Sequence, residues 1–207
     1  MSNSRKRLRN RQRVYDLGCT YEWRVFWSDV ELIPPLKQIF MLQMLQNNQS
    51  WSKDKYLVVE GCTHNLKLRQ GSLQVKKLLD TWDGYQIFAP KKSLRFPFPL
   101  ESLADVFIQM KGLSRKIDDF RSLTLMLKEF GYHYDLIDIE KKRCKVQWKP
   151  KTALDLDYLM VEGKPYWSIC LEGKKPKHLL SPSEKISLTE HCVEGYIDFF
   201  RRIKLGA

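Results

Sequence analysis

Apolar and polar residues alternate along most of this chain, and only a few segments switch to a period of three and four. From Cys19 to Ser28, Tyr21, Trp23, Val25 and Trp27 form one face, and Glu22, Arg24, Phe26 and Ser28 form the other. Side chains two apart leave a strand on the same side, so this segment is a predicted strand. Three more strands are expected between Lys55 and Leu79, separated by turns at Gly61 and Gln70-Gly71. Asp83-Gly84 then opens a hairpin into Tyr85–Pro90. Between Phe120 and Phe130 the period changes: Phe120, Leu123, Leu127 and Phe130 share one helical face, and Gly131 closes the helix. Four β-like runs follow, ending at Gly173. In the second, Arg143, Lys145, Gln147 and Lys149 face one way and Cys144, Val146 and Trp148 the other; in the third, Asp155 and Asp157 share a face.

Three further helices are expected. One spans residues 34–46, with prolines in its first turn. Another spans Leu100 to Lys111, with Leu103, Val106, Phe107 and Met110 apolar and Gly112 at its end. The last starts at a capping box of Ser181, Pro182 and Glu184, with Ile186, Val193, Tyr196, Ile197, Phe200 and Ile203 on one face, which would cover a sheet. Residues 91–99 read as a loop, because their prolines exclude a central strand. The sum is an α+β chain: an antiparallel sheet of about eight strands, closed or nearly closed into a barrel, with flanking helices.

Composition bounds this picture. The chain has 207 residues and a net charge of +12, with 43% hydrophobic and 12% aromatic residues. That suits one globular domain, taken here as residues 17–207, with a basic arm at 1–16 that carries Arg5, Lys6, Arg7, Arg9, Arg11 and Arg13. The basic balance favours anionic partners: phosphates, nucleotides or nucleic acid. RNA is one candidate partner, through the arm; a solubilising tail is the other reading of it. Cysteines 19, 62, 144, 170 and 192 contain no CxxC pair, which argues against a zinc site or disulfide framework and for a reducing, cytoplasmic setting. No apolar run is long enough to span a membrane. The four histidines stand apart from any catalytic spacing, and there is no Walker loop and no HExxH.

The candidate chemistry lies in charged rows. Lys67 and Arg69 are two apart on one predicted strand, and Gln74 and Lys76 on the next. Facing inward they would line a cavity suited to a polyphosphate; facing outward they would be a solvated surface. Alternation alone does not choose between these.

Several pieces together resemble the triphosphate tunnel metalloenzymes, or CYTH superfamily, which includes thiamine triphosphatase and the class IV adenylate cyclases. They are KEFGYHY at the helix end, Lys141-Lys142-Arg143, the run LDLD, Cys170-Leu171-Glu172, and NLKLRQGSLQVKK. The resemblance implies a barrel tunnel in which Arg24, Lys67, Arg69, Lys76, Lys141, Arg143 and Lys145 hold phosphates. Glu22, Asp157 and Glu172 would bind Mg²⁺ or Mn²⁺, with Glu172 and Asp157 as the catalytic carboxylates. A metal-oriented water would attack the terminal phosphorus of a triphosphate-bearing small molecule or polyphosphate. Three positions depart from the family pattern: Arg24 and Cys170 stand where its members carry acids, and Phe26 where they carry a lysine. The alternative is therefore a catalytically inactive protein of this kind that binds phosphate, nucleotide or RNA.

Overall fold

The alternation in residues 20–28 forms β1 (Thr20–Ser28), whose odd and even faces are both buried. The computed structural model describes residues 18–28, 51–82, 84–149, 152–175 and 193–205. The basic arm, the helix expected over 34–46, the capping box at Ser181, and His178, His191 and Cys192 lie outside these residues.

Eleven strands follow: β2 (Ser52–Val59), β3 (Asn65–Arg69), β4 (Ser72–Lys76), β5 (Leu78–Trp82), β6 (Tyr85–Phe88), β7 (Lys92–Arg95), β8 (Phe98–Pro99), β9 (Lys116–Ile117), β10 (Tyr134–Lys149), β11 (Thr152–Val161) and β12 (Lys164–Gly173). Two helices are described, α1 (Phe120–Glu129) and α2 (Tyr196–Leu205). Ten of the strands form one sheet in the order β5-β6-β1-β12-β11-β10-β2-β3-β4-β7, and every pairing is antiparallel.

The two ends of that order belong to a single hairpin. β4 runs into β5 across Lys77, and β6 runs toward β7. The Ala89 N–H donates to the Lys77 carbonyl at 3.0 Å and joins the two halves of the hairpin. One half pairs with β1 through β6, the other with β3 through β4. The circuit of pairings is therefore complete, and the sheet curls around an interior. Counting the hairpin as two long arms, it has about the eight staves expected of a small barrel. Tight turns keep its ribbons in register: at Gln70-Gly71 and Glu162-Gly163 both residues have positive φ, the geometry of a two-residue hairpin loop.

The barrel has an apolar outside and a divided inside. Leu57, Leu66, Leu73 and Val75 point outward and pack under α1, through Leu123, Met126 and Leu127, and under the 100–117 segment. Asp119 caps α1: its carboxylate accepts from the Ser122 N–H at 2.7 Å, and the Ser122 hydroxyl accepts from the Asp119 N–H at 3.0 Å. Tyr21, Trp23, Val25 and Trp27 also point outward, into a second buried cluster with Leu154, Leu156, Ile169 and Leu171. Inside, α2 closes part of the barrel. Its Phe199 stacks on Phe26 at 4.1 Å, and Phe199 and Phe200 are fully buried against Tyr56, Ile137, Ile139 and Leu159. Each such phenylalanine contributes roughly 2–3 kcal/mol by burial alone.

Three expectations change. Residues 92–95 form a strand, β7, at the end of the sheet order, where the prolines beyond it take no donor from the ladder. Residues 100–111 are two short 3₁₀ turns, Leu100–Leu103 and Ile108–Met110, with Phe107 extended between them. Val193 lies before the last helix, not on it: it bridges to Val25, and the Glu194 N–H donates to the Arg24 carbonyl at 3.0 Å. This tether fills the edge of β1 beyond the reach of β6 and aims α2 into the barrel.

Candidate functional site

The inward faces of seven strands and one side chain of α2 enclose a polar cavity of about 260 Å³. Register decides which residues reach it. β1 contributes Thr20, Glu22 and Arg24; β3, Asn65, Lys67 and Arg69; β4, Gln74 and Lys76; β10, Lys141 and Arg143; β11, Asp155; and β12, Glu172. Lys91 adds a seventh cation, against three carboxylates in the lining. The parity on β10 is set by its pairing with β11, where Arg143 faces Asp157 and Lys145 faces Asp155. Lys142 consequently points away, its ammonium 5.1 Å from the Trp51 ring.

The floor, next to α2, is built on Asp157. This carboxylate is fully buried and accepts from Arg143 Nε at 2.7 Å and Nη2 at 3.0 Å. Arg24 Nη1 lies 3.4 Å away and donates to Ser168 Oγ at 2.8 Å. The Tyr196 hydroxyl donates to Asp157 Oδ2 at 3.4 Å, and its ring lies 4.7 Å from the Arg24 guanidinium. Burial would push the Asp157 carboxyl up, but Arg143, Lys141 and Arg24 together hold it well below the usual carboxylate range.

One wall is built on Asp54. Its two oxygens accept from Arg69 Nε at 2.5 Å and Nη2 at 2.6 Å, a fork-on-fork pair. The ammonium groups of Lys67 and Lys141 stand 3.3 and 3.2 Å from the same carboxylate. One negative charge is thus shared among three cations. Burial and the neighbouring Lys141 bring the Lys67 pKa down to about 7. Burial also lowers Lys141, with Arg143 and Arg69 adding to it and Asp157 and Asp54 opposing.

On the other side, Glu22 and Glu172 stand directly opposite each other across β1 and β12. Lys76, arriving from β4, forms an ion pair with Glu22. Its ammonium also rests 4.6 Å from the Phe88 ring.

The cavity therefore brings together Glu22, Arg24, Lys67, Arg69, Lys76, Lys141, Arg143 and Glu172, with Asp157 directly beneath. Lys145 faces the same way but is 57% exposed at the rim, 3.8 Å from Asp155. Three participants were missed in the sequence. Asp54 carried a signal, since it alternates with Tyr56 and Val58 on a strand beside Lys67 and Arg69, and clustered cations need a counter-ion. Asp155 was visible as the face-mate of Asp157. Tyr196 carried none, because it lies on the apolar face of a helix.

The expected metal set does not assemble. Among the described residues, no three His, Cys, Asp or Glu side chains come together in a way that could hold an ion. Asp157 lies opposite Ser168, four residues along β12 from Glu172, or roughly 13 Å at the rise of a strand. Its oxygens are occupied by guanidinium groups, and Glu22 is occupied by Lys76. These residues do not fit a divalent ion bound by Glu22, Asp157 and Glu172.

No protein-family model matches this chain, and no curated protein matches it. Among solved structures it is similar to a candidate adenylate cyclase from Bacillus halodurans, with 11% identity over 81% of this chain and 87% of that one, at a TM-score of 0.44. It is similar to the Mimivirus capping enzyme triphosphatase, with 12% identity over 92% and 97% and a TM-score of 0.44. It is also similar to the S. pombe Pct1 RNA triphosphatase, solved with the Spt5 CTD, at 10% identity over 98% and 90% and a TM-score of 0.31. Among the described residues, no helix is long and apolar enough to cross a membrane.

Proposed function

We propose that the tunnel binds the phosphate chain of a triphosphate-bearing molecule or a polyphosphate. The observation that carries this is the excess of converging cations: seven basic side chains line the cavity, against three carboxylates in the lining and Asp54 and Asp157 behind it. Holding ammonium groups together out of water is costly, and burial lowers the pKa of Lys67, Lys76 and Lys141 alike. A polyanion would relieve that repulsion. Arg69 and Arg143 engage Asp54 and Asp157 through their Nε and Nη2 groups and add positive charge to the lining, and the lysines supply point charges for phosphate oxygens. The Gln74 amide also lines the cavity, its buried oxygen having no hydrogen-bond partner among the described residues, and turning it over would offer an N–H to an anion.

A second reading is hydrolysis of the same ligand with Mg²⁺ or Mn²⁺ as cofactor and Glu172 as the catalytic group, Asp157 being held beneath the cavity by Arg143 and Arg24. The side-by-side placement of Glu22 and Glu172 favours it; the failure of three acids to converge favours binding without turnover. RNA enters through the basic arm of residues 1–16.

Calorimetric titration with tripolyphosphate tests the binding function. Saturable binding is expected, weakened roughly tenfold or more by Lys67→Ala and by Arg69→Ala, since each removes charge-assisted hydrogen bonds. Absence of binding by a folded wild-type protein would overturn the proposal. Phosphate release from a panel of triphosphates with Mg²⁺ or Mn²⁺, abolished by Glu172→Ala, would establish the second reading. Deleting residues 1–16 should weaken RNA binding while leaving tripolyphosphate unaffected.

A further inference from the structure

Glu22 and Glu172 are a like-charged pair directly opposite on neighbouring strands. Facing positions of this kind bring side chains within about 5 Å, and two negative charges there are destabilising unless a cation joins them. Glu22 is only 7% exposed, so water does little of that work. The cation present is Lys76, delivered by the closing hairpin, whose other arm pairs with β1. Phe88, on the hairpin's other arm, packs against the ammonium and limits where it can go. Beside this trio stand Arg24 and, on β11, Asp155, which is ion-paired with Arg143. Arg24 is the next inward residue of β1, and Cys170, an uncharged group, stands opposite it. A hard divalent ion asks for about six oxygen ligands. Here it would find three carboxylates in the lining, of which Glu22 is already paired with Lys76 and Asp155 with Arg143.

We infer that Lys76 is a built-in counter-ion in the place where a divalent metal could otherwise sit between Glu22 and Glu172, so that the tunnel holds its anion without a metal. The part of this that concerns phosphate rests on the anion-binding function proposed above. The part that concerns the carboxylates does not.

Two measurements separate them. The first uses Mn²⁺ alone, with no phosphate, followed by its electron paramagnetic resonance. The wild-type protein is expected to leave Mn²⁺ free. Lys76→Met is expected to bind it at least roughly tenfold more tightly, because two partly buried carboxylates then lack a cation. Glu172→Gln added to Lys76→Met should abolish the gain. Thermal melting of each variant identifies any that fail to fold, and Lys76→Gln then replaces Lys76→Met. The inference is overturned if wild-type protein binds Mn²⁺ and loses it on Glu22→Gln, or if folded Lys76→Met and Lys76→Gln gain nothing. The second measurement titrates tripolyphosphate into wild-type protein in EDTA and again with excess Mg²⁺. Affinity in EDTA is expected to equal or exceed that with Mg²⁺; binding seen only with Mg²⁺ overturns the inference. If tripolyphosphate binds under neither condition, the anion-binding function fails, and the Mn²⁺ result still decides the role of Lys76.

Discussion

Asp54 and Arg69 grip each other with two parallel N–H···O bonds across the β2–β3 wall of the tunnel. The same carboxylate faces Lys67 and Lys141, so it is the common anchor of three cations supplied by two different strands. Asp54 is 3% exposed, and its own strand neighbours Lys53 and Lys55 point the other way, to Glu140 and Asp138.

Removing that anchor should therefore leave three cations in mutual repulsion. Asp54→Asn is expected to lower stability by about 2 kcal/mol, less than a wholly buried pair would cost because Arg69 and Lys67 retain some contact with water. Tripolyphosphate should then raise the melting temperature of the variant more than that of wild type. Equal shifts in the two proteins would refute the idea that the anion takes over the role of Asp54.

Lys67 gives the tunnel a pH dependence near neutrality. It faces Asp54 and the Tyr56 ring from β2, Arg69 on its own strand and Lys141 from β10. In the folded protein its pKa is about 7, against about 10.4 in an unfolded chain. Between these values the unfolded state holds more protons, so the contribution of this residue to stability grows as pH rises from 7 toward 10. Anion affinity should run in the opposite direction, because the bound anion favours the ammonium form. Calorimetry at pH 8 in buffers of different ionisation enthalpy is expected to detect proton uptake on tripolyphosphate binding, and Lys67→Met should eliminate it. Buffer-independent heats in wild type would count against this account.

The floor should be the least tolerant part of the site. Asp157→Ala leaves Arg24 and Arg143 without their shared carboxylate, next to the packed α2, and is expected to cost about 3–5 kcal/mol. Tyr196→Phe removes only a long hydrogen bond and should cost about 1 kcal/mol or less. Urea denaturation of the two variants checks the ranking. A mild Asp157→Ala would mean that solvent or another group compensates the two guanidinium charges.

Much of the fold was legible because strand and helix periods are local. The alternation around Glu22 and Arg24, the Gln70-Gly71 turn and the helix ending before Gly131 were all readable in place. The 100–111 segment was not: Leu103, Phe107 and Met110 do face one buried cluster, but through turns with an extended residue between them. Spacing alone cannot distinguish that from a helix. The prolines at 97 and 99 hid β7 because a sheet-edge strand places fewer demands on its donors than a central one.

What the sequence by itself determined is which residues travel together: Lys67 with Arg69, Asp155 with Asp157, and Glu22 with Arg24. Those pairings follow from the two-residue repeat of a strand. Which of those faces turns inward, and which charge meets which, was decided only by tertiary structure. Arg24 and Asp157 lie 133 residues apart, and Lys76 reaches Glu22 only because one hairpin spans both edges of the sheet. Closing the sheet excludes water from one face, and an enclosed charge must find its partner across the barrel instead of along the chain.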